Sequence, residues 1–178
     1  MQVSVFLGLS LDGYLAREDF SLDWLEQVQT DPPEDTGYAA FMASVDVLVM
    51  GRHTYDAVRG FPEWPYTGKR VIVLSHHASP SVHGETFRQG ELPGLLDELQ
   101  EQGVGRVYLD GGVVVRQALA ADRVTDLTLS WLPVVLGRGR PLFGPELPER
   151  RWALQSSRAF PSGLLQATYV RQQEAGRN

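Results

Sequence analysis

The stretch Val45-Asp46-Val47-Leu48-Val49-Met50-Gly51-Arg52-His53-Thr54-Tyr55-Asp56-Ala57-Val58 decides the fold. Its first half is a short apolar run that reads as a buried strand. Gly51 turns the chain, and Arg52, His53 and Thr54 open a helix. A helix start offers free N–H groups and partial positive charge, and an arginine adds a planar donor fork. The pattern is that of a strand-to-helix turn that receives a phosphorylated ligand.

Outward from this turn, the same alternation recurs. Gln2 to Gly8 reads as the first strand, Leu9 to Trp24 as a loop with an Asp12-Gly13 turn, and Glu34 to Ser44 as a short helix. Gly60 to Gly68 is loop, Arg70 to Leu74 a third strand, and Thr86 to Arg88 a short one. Pro93 to Gln102 carries an apolar stripe of Leu95, Leu96 and Leu99 and ends at Gly103, as a helix does. Arg106 to Leu109 is a buried strand. Asp110-Gly111-Gly112 then turns into a helix from Val113 to Ala120. Val124 to Leu132, Trp152 to Phe160 and Leu164 to Arg171 read as strands, the last two joined by Pro161-Ser162-Gly163. Helices alternate with strands early and strands follow one another late. That predicts one α/β domain over residues 1–172, with a mainly parallel sheet and an antiparallel C-terminal hairpin. Residues 173–178 read as a frayed tail.

Composition narrows the function. The chain has 178 residues, 43% of them hydrophobic, which suits a single domain with a sizeable core. A net charge of -6 argues against a nucleic-acid or acidic-membrane binder. With no cysteine there is no disulfide, thiolate metal site or cysteine nucleophile. No apolar run approaches a membrane span and no signal peptide is evident, so the expected location is the cytoplasm. His76, His77 and His83 lack metal-ligand spacing, and no metal is expected. There is no G-x-S-x-G nucleophile elbow.

The two glycine turns, at Gly51 and at Gly111-Gly112, fall at the same sheet edge, where ligands of open α/β sheets sit. Two such turns in one cleft suit a dinucleotide. The G-x-G-x-x-G fingerprint is absent.

The motifs also carry a resemblance. Met50-Gly51-Arg52-His53-Thr54-Tyr55, and Leu109-Asp110-Gly111-Gly112 followed by Gln117-Ala118-Leu119, resemble dihydrofolate reductases. Ser10-Leu11-Asp12-Gly13-Tyr14-Leu15-Ala16, Asp126-Leu127 and the Pro133 to Phe143 segment resemble more closely a sister group. That group is the C-terminal reductase domain of the bifunctional riboflavin-biosynthesis enzyme and its stand-alone relatives. The resemblance implies a dihydrofolate-reductase-like three-layer sandwich, NADPH as cofactor and a homodimer, with the late strands and Pro133 to Phe143 as contact surface. It places the cofactor phosphates on Arg52 and Thr54, with Gly51 and His53 as further cofactor-binding candidates in the same turn, and the adenosine end near Leu74, Ser75 and His76. The pyrophosphate falls on Gly111, Gly112, Val113 and Val114, with Asp110 before them as a further cofactor-binding candidate, and nicotinamide near Gly8, Asp12 and Leu15. Val113 stands where dihydrofolate reductases often have a basic residue, so the 2′-phosphate falls to Arg52, with His76.

Catalytic candidates are Asp12, Ser130 and Asp35. Asp35 and Glu34 lie near the place of the acid that holds the pterin in dihydrofolate reductases, at a spacing that does not match cleanly. Arg17, Arg138 and Arg140 are candidates for a substrate phosphate. The expected reaction is hydride transfer to a pyrimidine, pterin or ribosylamino-pyrimidine. The alternatives are true dihydrofolate reduction and a non-catalytic nucleotide-binding dimer. No deaminase zinc pattern is present.

Overall fold

A computed structural model describes residues 1–28 and 30–172. Its elements run β1 (Gln2–Ser10), β2 (Tyr14–Ala16), a 3-10 helix (Asp23–Val28), α1 (Tyr38–Ala43), β3 (Val47–Gly51) and α2 (Arg52–Val58). They continue with β4 (Arg70–Leu74), β5 (Thr86–Arg88), α3 (Leu92–Glu101), β6 (Arg106–Asp110) and α4 (Gly112–Ala120). The chain closes with β7 (Asp126–Leu132), β8 (Arg140–Pro141), β9 (Trp152–Ala159) and β10 (Leu165–Arg171).

Eight strands form one sheet in the order β5-β4-β3-β6-β1-β7-β10-β9. The first six pair parallel, and β10 pairs antiparallel with both β7 and β9. Parallel strands covered on both faces need apolar side chains on both. All five residues of β3 are buried, which is why its run does not alternate.

Alternate residues of β1 show how the layers are made. Val3, Val5, Leu7 and Leu9 pack with Leu92, Leu95, Leu96 and Leu99 of α3 and with Val114, Val115 and Ala118 of α4. On the opposite face Phe6 packs with Tyr38, Phe41 and Met42 of α1, in the cluster that also holds Tyr55 and Val58 of α2. The result is the expected three-layer α/β sandwich. Each fully buried leucine of α3 contributes about 1.5–3 kcal/mol. Truncating Leu96 to alanine would cost about 2–5 kcal/mol.

Two local expectations change. The segment after β1 is not all loop: β2 pairs antiparallel with β8 as a small second sheet. This brings the Ser10 to Ala16 motif against the Pro133 to Phe143 motif. Gly139 permits the pairing, because a β-carbon there would collide with the Ala16 carbonyl. Helix α1 begins at Tyr38 rather than Glu34. Gly37 at its start has φ 79°, a left-handed conformation, and its N–H donates to Asp35 Oδ1 at 2.9 Å. The expectation for residues 173–178 lies outside the described residues.

Candidate functional site

Strands β3 and β6 are neighbours, with Met50 paired to Asp110. Their carboxyl ends therefore place the Gly51 and Gly111-Gly112 turns side by side. The two turns touch. Gly111 has φ 93°, and a β-carbon on it would collide with the Thr54 hydroxyl. Thr54 thus sits against the backbone of the other turn. A β-carbon on Gly112 would meet Arg116 Nη1 at 2.8 Å and Leu15 Cδ1 at 3.0 Å. The second glycine makes room for two side chains, one from the helix that follows and one from β2. Val114 is buried, which leaves its N–H as its polar offering, while Val113 is exposed.

Arg52 leans away from the glycines toward the loop after β4. Its Nε donates to Asp56 Oδ2 at 2.8 Å and its Nη1 to Ser79 Oγ at 2.6 Å. Leu74 pairs in register with Gly51, so Ser75 and His76 follow beside the same turn. Ser75 Oγ donates to the His77 carbonyl at 2.8 Å. The far end of this loop is pinned by Glu85, which is 4% exposed. Its carboxylate accepts the Tyr55 hydroxyl at 2.6 Å and the N–H groups of Val82 and His83 at 2.9 and 2.7 Å. Burial pushes the Glu85 carboxyl up, but these donors outweigh it and hold the pKa down at about 2.

His53 does not face the same way as Arg52. Its ring stacks on Phe20 at 4.4 Å and 9°, and Arg140 covers Phe20 at 4.2 Å. Phe20 has φ 68°, a conformation that costs a bulky residue about 1–3 kcal/mol. A cavity of about 390 Å3 opens between this loop and α2, lined by Phe20, Leu22, His53, Ala57 and Phe61 among others.

Gly8 lies in register with Ser130, and Ser130 with Gln166. Gln166 Nε2 donates to Ser130 Oγ at 3.0 Å. Leu25 of the 3-10 helix and Leu132 cover Gly8, and a β-carbon on that glycine would stand 3.5 and 3.4 Å from their methyl groups. Asp12 anchors the wall of this region. It accepts the Ser10 hydroxyl at 2.6 Å and the N–H groups of Leu136 and Gly137 at 3.1 and 2.7 Å. Partial desolvation raises its pKa, but those donors prevail and lower it.

The other acids and the arginines make contacts within the scaffold. Glu34 binds the Ser162 N–H and hydroxyl at 3.0 and 2.5 Å, and Asp35 caps Gly37. Arg17 pairs with Asp23, Arg138 with Glu18, and Arg140 with the Glu18 carbonyl. These three arginines tie the 17–23 loop together and to the segment before β8. Among the described residues no cluster of histidines and carboxylates could hold a metal ion.

The family model of the RibD C-terminal domain matches residues 2–166. This chain belongs to the RibD C-terminal domain family. That is a family of reductase domains with the dihydrofolate-reductase-like fold. The chain is similar to the uncharacterised protein YwjB of Bacillus subtilis (strain 168), at 30% identity over 172 residues, 94% of this chain and 96% of the relative. It is also similar to a solved Shewanella sp. PV-4 protein provisionally assigned to riboflavin biosynthesis. That match has TM-score 0.89 and 36% identity over 97% of this chain and 100% of the other. RibD of Acinetobacter baumannii shares the fold, with TM-score 0.70 and 14% identity over 96% of this chain and 58% of that one.

In this RibD-type domain the residues that sequence reasoning missed are those that reach the turns from elsewhere. Arg116 lies one helical turn after Gly112, a spacing that puts both on one face. Gln166 needs the strand register to be found. Tyr66, buried in the loop before β4, donates its hydroxyl to Asp110. Asp110 is itself buried at the end of β6, with the Tyr108 hydroxyl nearby donating to the Phe6 carbonyl at 2.9 Å. Burial drives the Asp110 pKa up, beyond what the Tyr66 and Tyr108 hydroxyls and the Gly111 N–H offset.

Proposed function

We propose that this domain is an NADPH-dependent reductase that transfers hydride to a small planar nitrogen heterocycle, of the ribosylamino-pyrimidine type or one close to it. The observation that carries the reading is the contact between the two glycine turns, Thr54 against Gly111. It joins the phosphate-binding groups of β3–α2 and β6–α4 into one surface. The donor set fits a dinucleotide. Arg52 and Ser75 stand at one end of that surface, Thr54 and the first N–H groups of α4 at its centre, and Leu15 and Gly8 at the other. NADPH, when bound, supplies the hydride.

The chain's own residues bind, orient and exclude water. Leu25 and Leu132 give the apolar wall beside Gly8, and Leu15 lies against Gly112. Ser130, held by Gln166, is the hydroxyl available to orient a ring substituent. Asp12 positions the β2–β8 wall, and Asp35 stands at the start of α1. Asp110 is the carboxyl whose protonated form the site favours, since burial raises its pKa. Helix α1 carries no acid, which weighs against dihydrofolate as substrate. A homodimer, as the resemblance implies, would cover the exposed Val135, Phe143, Leu154 and Leu165.

The test is a fluorescence titration with NADPH and with NADH, following the tryptophans, and then consumption of NADPH with pterin and pyrimidine substrates. NADPH binding in the micromolar range that weakens at least tenfold in Arg52→Ala supports the reading. Binding of neither nucleotide overturns it.

A further inference from the structure

We propose that Arg116 grips the pyrophosphate of the dinucleotide, separately from Arg52. This deepens the cofactor reading above and rests on it.

Three observations carry the assignment. The Arg116 side chain folds back over the start of its own helix: Nη1 is 2.8 Å from where a Gly112 β-carbon would stand. Its stem is held there, with Cδ 3.6 Å from the corresponding point on Gly144, and Nη1 donates to the Pro141 carbonyl at 2.6 Å. Among the described residues Arg116 forms no ion pair, whereas eight other arginines do. A guanidinium has five N–H donors, and the bond to Pro141 uses one.

The electrostatics of this placement are unfavourable by themselves. The start of a helix is its positive end, and a cation there is repelled. An arginine in the second turn of a helix can extend into solvent, yet here packing against Gly112 and Gly144 brings the charge back to the glycine turn. An anion bound at the glycines reverses the sign of that interaction and takes up the unspent donors in charge-assisted bonds. Glycine at 112 is what allows the guanidinium to lie there.

Position separates the two arginines. Arg52 is drawn toward Ser79 and the loop after β4, on the β4 side of the turns. Arg116 is drawn toward Pro141 and Leu15, on the β2–β8 side. A dinucleotide laid across both turns meets Arg52 at the end that carries the 2′-phosphate and Arg116 at the phosphates common to NADPH and NADH.

The experiment is titration of wild type, Arg116→Gln and Arg116→Lys with NADPH and with NADH, read by tryptophan quenching. Glutamine keeps a donor for Pro141 but removes the charge. The inference expects Arg116→Gln to weaken both nucleotides by the same factor, roughly 10- to 100-fold, and Arg116→Lys to recover most of that loss. Should Arg116→Gln fail to fold, Arg116→Met keeps the stem against Gly144 and serves as the neutral variant. Affinities within twofold of wild type overturn the proposal. So does a loss confined to NADPH, which would make Arg116 a reader of the 2′-phosphate. A wild-type protein that binds neither nucleotide overturns the cofactor reading itself, a result distinct from both.

Discussion

Glu85 and Asp110 are both buried acids that accept a hydrogen bond from a tyrosine, Tyr55 in one case and Tyr66 in the other. Their environments drive them apart. Glu85 also receives the N–H groups of Val82 and His83 and sits near the Ser81 hydroxyl. It is held ionised, with a pKa of about 2, despite its burial. Asp110 lies among Tyr38, Tyr66 and Tyr108 with one backbone N–H, that of Gly111, to offset desolvation, so burial prevails and its pKa rises. The tyrosine is common to both and so does not decide the outcome. The number of N–H donors set against the cost of desolvation decides it. The first acid fastens a loop. In the second, burial disfavours the charged form, and a carboxylate so placed costs the fold stability.

The largest effect should come from breaking the Glu85 side. Its folded pKa lies below the unfolded value of 4.5. It therefore adds stability above that pH, and the addition is lost as pH falls from 4.5 toward 2. Glu85→Gln should cost roughly 2–4 kcal/mol at pH 7, since a carboxylate bonded to several donors is replaced by a neutral amide. Urea unfolding at pH 7 and at pH 3 checks this. The difference between wild type and variant should shrink at the lower pH, and a pH-independent difference would contradict the assignment.

Gly111→Ala disturbs the Asp110 side instead. The new methyl would collide with Thr54, and φ 93° is strained for any side chain. A loss of about 1–3 kcal/mol is expected, with weaker NADPH binding because both turns shift. Pairing the change with Thr54→Ala should restore part of the stability, the steric part, and leave the backbone strain. Strict additivity of the two changes in thermal unfolding would show that the turns do not touch.

These contacts mark how far the sequence could be read. The Gly51-Arg52-Thr54 turn and the β-α alternation were legible because their signals are local: an apolar run, a glycine, a helix start. The meaning of Gly111 was only half legible. Its unusual torsion was predictable from a glycine pair, but the side chain that requires it, Thr54, lies 57 positions earlier. Asp12 read equally as a turn residue and a site residue, and only the return of Leu136 and Gly137 shows that it braces the wall. The partners of Arg17, Arg138 and Arg140, which are Asp23 and Glu18, were not legible because they are found only through the folded 17–23 loop. Helix α1 starts late because Asp35 turns the backbone at Gly37, a competition that periodicity does not register.

The smallest expected effect sharpens the comparison most. Asp110 has a raised folded pKa, so its contribution to stability is fully present below the ordinary carboxylate value of 3.8 and is lost as pH rises through the folded value. At neutral pH the carboxylate is therefore a net cost. Asp110→Asn removes the charge and keeps an oxygen to accept the Tyr66 hydroxyl. The variant should be more stable than wild type at pH 7, by about 1 kcal/mol or about 2–4 °C in Tm for a chain of this size. The gain should vanish in acid, where wild-type Asp110 is protonated and matches the amide. Under the proposed function hydride transfer should fall in the same variant, while NADPH binding, assigned above to Arg52, Arg116 and the glycine turns, should change little. A variant that is less stable at pH 7 would mean that Asp110 fastens its turn as Glu85 fastens its loop, and the proton-holding role would have to pass to another group.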